Sequence, residues 1–132
     1  MKGQAAIEFL LYVGIVALVM ATFLWRSVSL QKQSMYTKID AEAKKLCDNM
    51  AFEINSAVRS GNGYNRKFLV SNDFAGITDF TINITDYSVF IVWGNKSVSS
   101  SIITKNITNT NTINKGLNFI ENKDGNIYVT QI

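Results

Sequence analysis

Residues 1–26, MKGQAAIEFLLYVGIVALVMATFLWR, decide how the rest of the chain is read. From Phe9 to Trp25 the run is apolar and uncharged, and Glu8 stands at its edge. An ionised carboxylate at that depth of a hydrocarbon phase costs roughly 2–3 kcal/mol unless it is paired. A charge kept there marks a functional position whose partner has to be named. The 17 residues from Phe9 to Trp25 make a helix of about 25 Å, the lower end of what spans a bilayer, and counting back to Ala5 gives comfortable length. Lys2 and Arg26 flank the run on opposite sides, so the positive-inside rule assigns no orientation. Tyr12 and Trp25 stand where interfacial aromatics stand, and either also serves as a packing residue.

Three fates are open to such a segment. It is a secretory signal cut after Val19-Met20-Ala21, a plain uncleaved anchor, or an arm cut ahead of the apolar run and kept as the core of a filament. Glu8 separates them, because neither a signal nor an anchor gains from an acid at its start. Cleavage after Gly3 would free the amino group of Gln4, and a neighbouring subunit's Glu8 would pair with that ammonium. Leaving either charge of a desolvated pair alone costs several kcal/mol, so the pair acts as a register device more than as a source of net stability.

The run Lys2-Gly3-Gln4-Ala5-Ala6-Ile7-Glu8 resembles the class III signal peptide of archaeal type IV pilin-like proteins (prepilins). The resemblance implies that a membrane aspartic prepilin peptidase cuts the Gly3–Gln4 bond and that Glu8 is the assembly carboxylate. Ala6 stands where the family often has serine, and Tyr12 where it often has leucine, while the glycine, glutamine and glutamate are in place. The expected product is a structural subunit, major or minor, of an archaeal type IV-like surface pilus, and adhesion is its expected role. Expected partners are other copies or related pilins in a helical filament, the peptidase, the pilus assembly platform and motor, and the membrane before assembly. The expected location is the cell membrane for the precursor and the cell surface, in an extracellular pilus, for the assembled subunit.

Composition narrows the rest. Net charge is +3 and the pI about 9.0, but Lys44-Lys45 and Arg66-Lys67 are the only basic doublets, and no basic face interleaved with aromatics points to nucleic acid. There is no histidine and one cysteine, Cys47, so an internal disulfide is excluded and neither a metal site nor a thiol nucleophile with an imidazole base is in prospect. No phosphate loop or nucleophile elbow occurs, and no enzyme or cofactor is expected. Asp73, Asp79, Asp86, Glu121 and Asp124 fall near predicted turns as solvated or self-capping groups. A calcium pair among Asp79, Asp86 and Glu121 has no matching ligand spacing.

Val28, Met35, Ile39, Ala43, Leu46, Met50, Ile54 and Ala57 recur at spacings of three, four and seven, the stripe of an amphipathic helix packed on the sheet C-terminal to it. Cys47 falls beside Leu46 as a small, partly buried thiol. No stop signal comes after Trp25 until Ser60-Gly61-Asn62-Gly63, so one helix from about Gln4 to Arg59 is predicted, on the order of 80 Å long. Gly14 is its one weak point in the apolar half. From Arg66 the period becomes two. Phe80-Ile82-Ile84 and Tyr87-Val89-Ile91-Trp93 flank a turn at Thr85-Asp86, and Phe90 and Val92 make the second strand apolar on both faces, hence central. Gly94-Asn95 leads into Ser97 to Thr104, and Asp124-Gly125 joins Leu117–Glu121 to Ile127–Gln131. Ser99 to Asn118, rich in serine, threonine and asparagine, reads as surface or edge strand.

The predicted class is α+β: a long N-terminal helix, hydrophobic half plus amphipathic half, packed on a small, mostly antiparallel β-sheet head. The expected divisions are a leader (1–3), a hydrophobic membrane or filament-core helix (4–25), its amphipathic continuation (26–60) and the head (61–132). Sequons at Asn83, Asn95 and Asn106 are candidate N-glycosylation acceptors. With 14 asparagines and 21 serines plus threonines in 132 residues, about two such triplets arise by chance, so the sequons gain weight only from export. The rival reading from another class is a monomeric, membrane-anchored surface protein whose β head binds a ligand or envelope polymer.

Overall fold

The structure, a computed structural model, describes residues 2–108 and 112–132. Met1 of the expected leader lies outside them, as do residues 109–111 of the Ser/Thr/Asn-rich stretch. One helix, α1 (Lys2–Ser60), carries the N-terminal half of the chain. The chain divides into two compact units, Met1–Thr37 and Lys38–Ile132.

The first unit is helical throughout its described residues, and every side chain described in it is exposed. Two members of the expected stripe belong here and are not buried: Val28 is 53 % and Met35 63 % exposed. The spacing that makes an apolar stripe extends through both halves of the helix, but burial of that stripe begins only at Ile39. Periodicity reports which face is apolar and not where a partner surface for it starts.

In the second unit the stripe is covered from Ile39 through Ala43, Leu46, Cys47, Met50, Ala51 and Ile54 to Ala57. Cys47 is wholly buried rather than partly so. The helix stops as its residues require: Arg59 sits in the last turn, the Gly61 N–H donates to Val58 O at 3.2 Å, and Gly61 takes a φ of +79°. That left-handed conformation is strained for residues with a Cβ, which is why glycine closes this helix.

Among the described residues eight strands follow: β1 (Asn65–Val70), β2 (Thr81–Thr85), β3 (Ser88–Trp93), β4 (Lys96–Ser101), β5 (Ile107–Thr108), β6 (Thr112–Ile113), β7 (Gly116–Lys123) and β8 (Asn126–Gln131). The α+β class holds, with the head's strands divided into two four-stranded sheets, in the orders β1-β7-β8-β5 and β4-β3-β2-β6. All pairings are antiparallel except β5 with β8. The β3 strand is central, as its two apolar faces predict: Val89, Ile91 and Trp93 enter the core while Phe90 and Val92 are half-buried on the other face. Inner-face residues of both sheets (Phe68, Val70, Ile120, Ile127 and Val129 from one; Ile82, Ile84, Val89, Ile91 and Ile113 from the other) form one cluster with the helix stripe. Full burial of a side chain of this size contributes roughly 1.5–3 kcal/mol.

The turns largely match their residues. Asp124 and Gly125 both take positive φ, the requirement of the tight turn joining β7 to β8. Gly94-Asn95 turns between β3 and β4, with Gly94 at φ +51°. The first hairpin turns one residue later than the sequence suggests, at Asp86-Tyr87, because Thr85 still pairs with Ser88 at the end of the ladder. The β4 strand ends at Ser101 rather than Thr104: Ile102 turns into the core, and the Ile103 N–H leaves the sheet for Asn55 Oδ1 at 2.9 Å.

Candidate functional site

The candidate site in the first unit is the arm itself. Gly3 and Gln4 lie in the first turns of α1, and Glu8 comes four residues after Gln4, hence on the same helix face. Gln4 and Glu8 are both exposed, and no ion pair to Glu8 forms among the described residues. Around this one carboxylate Ile7, Phe9 and Leu10 are about two-thirds exposed, and the apolar surface continues along the helix to Trp25, at 81 %. Contiguous exposed apolar surface of this kind is uncommon on soluble monomers.

Local chemistry suits the arm to a dry environment. Thr22 Oγ1 donates to Val19 O at 2.7 Å, and Ser29 Oγ to Arg26 O at 2.8 Å. These two hydroxyls are bonded back to their own helix and so are satisfied without water. By length and composition, the segment beginning at Ala6 is apolar enough to cross a membrane.

The sequons occupy three different settings. Asn83 sits in the interior of the second sheet, in β2 between β3 and β6, half-buried, and accepts a hydrogen bond from Thr112 Oγ1 at 3.4 Å. Asn95 is exposed at the tip of the β3–β4 turn. Asn106 is also exposed, beside the Thr104 hydroxyl that accepts its N–H at 3.0 Å. The structure does not bring the three together, and none lies in the unit that holds Glu8.

In the second unit the densest polar cluster joins α1 to β4, and sequence reasoning does not single it out. Lys44 Nζ donates to Asp48 Oδ1 at 2.8 Å, to Ser99 O at 2.8 Å and to Ser100 Oγ at 2.7 Å, and the Ser100 hydroxyl donates to Asp48 Oδ1. Lys44, and then the Ser100 hydroxyl, hold the Asp48 carboxyl below its ordinary range. The cluster fastens helix to strand. The i, i+4 spacing of Lys44 and Asp48 is legible in the sequence, but their serine partner, some fifty residues away, is not. Cys47 Sγ donates to Val89 O at 3.1 Å. Burial pushes its thiol upward, against the opposing pull of Ser100 and Lys44. A buried thiol of raised pKa is a packing group, not a nucleophile.

The carboxylates near turns are dispersed. Glu121 lies in β7 and pairs with Lys123, while Asp124 Oδ1 accepts from Asn62 Nδ2 at 3.1 Å. Among the described residues no three of the types histidine, cysteine, aspartate and glutamate are grouped to share a metal ion.

Against known proteins, no family model, no curated protein and no solved structure matches this chain.

Proposed function

We propose that this chain is a structural subunit, major or minor, of an archaeal type IV-like surface pilus, processed by a prepilin peptidase and assembled through its hydrophobic N-terminal helix. The observation that carries the reading is Glu8: one exposed carboxylate at the start of an otherwise apolar, uncovered helix, one turn beyond Gln4 and shortly after a Lys-Gly leader. The segment 1–3 presents the Gly3–Gln4 bond to the peptidase. The arm holds the precursor in the membrane until a motor moves it into a bundle of neighbouring arms, exchanging lipid contacts for protein contacts of similar polarity. There Glu8 meets the freed ammonium of a neighbour's Gln4, and an arm out of register leaves both charges unpaired in a dry core. The β head forms the exterior and meets surfaces or other cells, which makes the role structural and adhesive rather than catalytic.

The test is Glu8→Ala in the native host. Loss of the subunit from sheared filaments, with the chain still in the membrane fraction, is the expected result. Incorporation at the wild-type level would overturn the reading and leave a monomeric anchored surface protein, which has no use for the carboxylate.

A further inference from the structure

Between Glu8 and Asp40 the chain has no acidic residue, yet it carries Arg26, Lys32 and Lys38. Lys38 has Glu42 one turn on, at 3.8 Å. Arg26 and Lys32 have no carboxylate within seven residues on either side, and no ion pair forms to either among the described residues. A solvated helix ordinarily answers its cations with acids three or four residues away. Here two cations follow directly on the apolar run and stand alone.

One of them lines a groove. Leu24, Trp25, Val28, Ser29 and Lys32 fall on one face of α1, at spacings of three, four and seven, and border an open cavity of about 490 Å³. Its chemistry runs in one order along the helix: Leu24, Trp25 and Val28 are apolar, and Lys32 ends it. The Ser29 hydroxyl is tied to Arg26 O, so the groove holds no unmet hydroxyl donor. Helical side chains lean toward the N-terminus, and Lys32 accordingly shares this cavity with Leu24, two turns earlier. Its backbone lies about 10 Å beyond Trp25 along the axis. That lean brings the ammonium back into a headgroup layer roughly 5–8 Å deep.

We propose that this groove binds an anionic membrane lipid, with an acyl chain along Leu24 and Val28 and the headgroup phosphate on Lys32. Arg26, on the adjoining face of the helix, adds a second positive charge near the same level, and the Trp25 indole N–H adds a donor there. The inference rests on the membrane stage of the reading above. The occupant follows from the two halves of the groove. An acidic protein surface would match Lys32 and set its charges against Leu24, Trp25 and Val28. A neutral lipid or a second apolar helix would cover those three and leave both cations unanswered. An anionic amphiphile matches both halves, in the order in which the helix presents them. Such a lipid fixes the depth of the arm while the subunit waits in the membrane.

The experiment is quenching of Trp25 fluorescence in the full chain, reconstituted in phosphatidylcholine vesicles holding a minor fraction of phosphatidylglycerol. Bromine is placed on the acyl chains of the phosphatidylglycerol, or of an equal fraction of the phosphatidylcholine. Trp93, the other tryptophan, is buried among head residues, so the quenched signal belongs to Trp25. Brominated phosphatidylglycerol is expected to quench as if enriched roughly fivefold beside Trp25 over its bulk fraction. Lys32→Gln should remove most of that preference, Lys32→Arg should keep it, and molar salt should abolish it. Equal quenching by the two labelled lipids would overturn the proposal and leave the filament reading intact. A preference unchanged when Arg26→Gln and Lys32→Gln are combined would overturn this groove as its source. Reversal by millimolar inorganic phosphate would mean a site for a soluble anion and overturn the lipid as occupant. Quenching by neither lipid would remove the membrane stage and the proposal together. The preference is read without filaments, so a chain that shows it and never assembles would support the proposal and sink the filament reading alone.

Discussion

Asn122 Nδ2 donates to the Ala57 carbonyl at 2.9 Å, so a buried amide of β7 closes the last turns of α1. Its Oδ1 accepts the Gly125 N–H at 3.1 Å, so one side chain serves both the helix end and the β7–β8 turn. The pair is 65 residues apart in the chain. Beside it, Asn62 and Asp124 exchange two further bonds across the same junction, at 3.1 and 3.0 Å.

Asn122→Ala orphans the buried Ala57 carbonyl, at a cost of about 1–3 kcal/mol, while the Gly125 N–H, on an exposed residue, turns to water. At about 4–8 °C per kcal/mol for a unit of this size, a fall in melting temperature of roughly 5–15 °C is expected. Thermal unfolding of the full chain in detergent, followed by near-ultraviolet circular dichroism, checks it. A fall of less than about 2 °C would show that water replaces the amide at little cost.

Stability on the alkaline side depends on Cys47. Burial holds its folded-state pKa above the unfolded value, so the folded chain binds the extra proton. This contribution is complete below the unfolded value and is lost as pH rises from there through the folded one. The difference in unfolding free energy between the native chain and Cys47→Ala, taken across that alkaline range to cancel lysine and tyrosine titration, is expected to shrink as pH rises. A difference independent of pH would contradict the burial argument.

The sign reverses at Asp48. Lys44 and Ser100 depress its folded-state pKa, so its contribution is present above the ordinary carboxylate range and is lost as pH falls through the folded value. The carboxylate is more than half exposed, at 55 %, so solvent screening limits the effect to below about 1 kcal/mol. Asp48→Asn should therefore destabilise the chain slightly at neutral pH and not at all in strong acid. A loss of several kcal/mol at neutral pH would mean that the cluster is more tightly closed than its exposure indicates.

Of the three sequons, Asn95 and Asn106 are expected to carry glycan and Asn83 to remain bare. An acceptor at an exposed turn can leave the backbone plane and enter an enzyme, whereas Asn83 is held between two neighbouring strands. Glycopeptide mass spectrometry on protein from the native cell surface decides it. Glycan on Asn83 alone would contradict the accessibility argument.

Most of the architecture is legible because it is written in local patterns. Helix spacing from Ile39 to Ala57, the Gly61 stop, alternation along β3 and the Asp124-Gly125 turn each depend on residues adjacent in sequence. The features that escape depend on distant pairs. The division of the strands into two sheets rests on β1 pairing with β7 across more than forty residues, and on β5 and β6, each only two residues long, joining different sheets. A two-residue strand carries no periodicity. The Lys44–Asp48–Ser100 cluster and the Asn122–Ala57 bond share that character. Glu8 is legible for the opposite reason: a charge against an apolar run stands out without any partner.

The most direct measurement is the accurate mass of the N-terminal peptide of this protein recovered from the native cell surface. A terminus at Gln4, as a free amine or cyclised to pyroglutamate, is the expected result. Cyclisation would retain the processing site while turning the Glu8 contact from an ion pair into a hydrogen bond. A terminus at Met1 would indicate a plain anchor, and one near Thr22 a secreted domain; either would contradict the filament subunit.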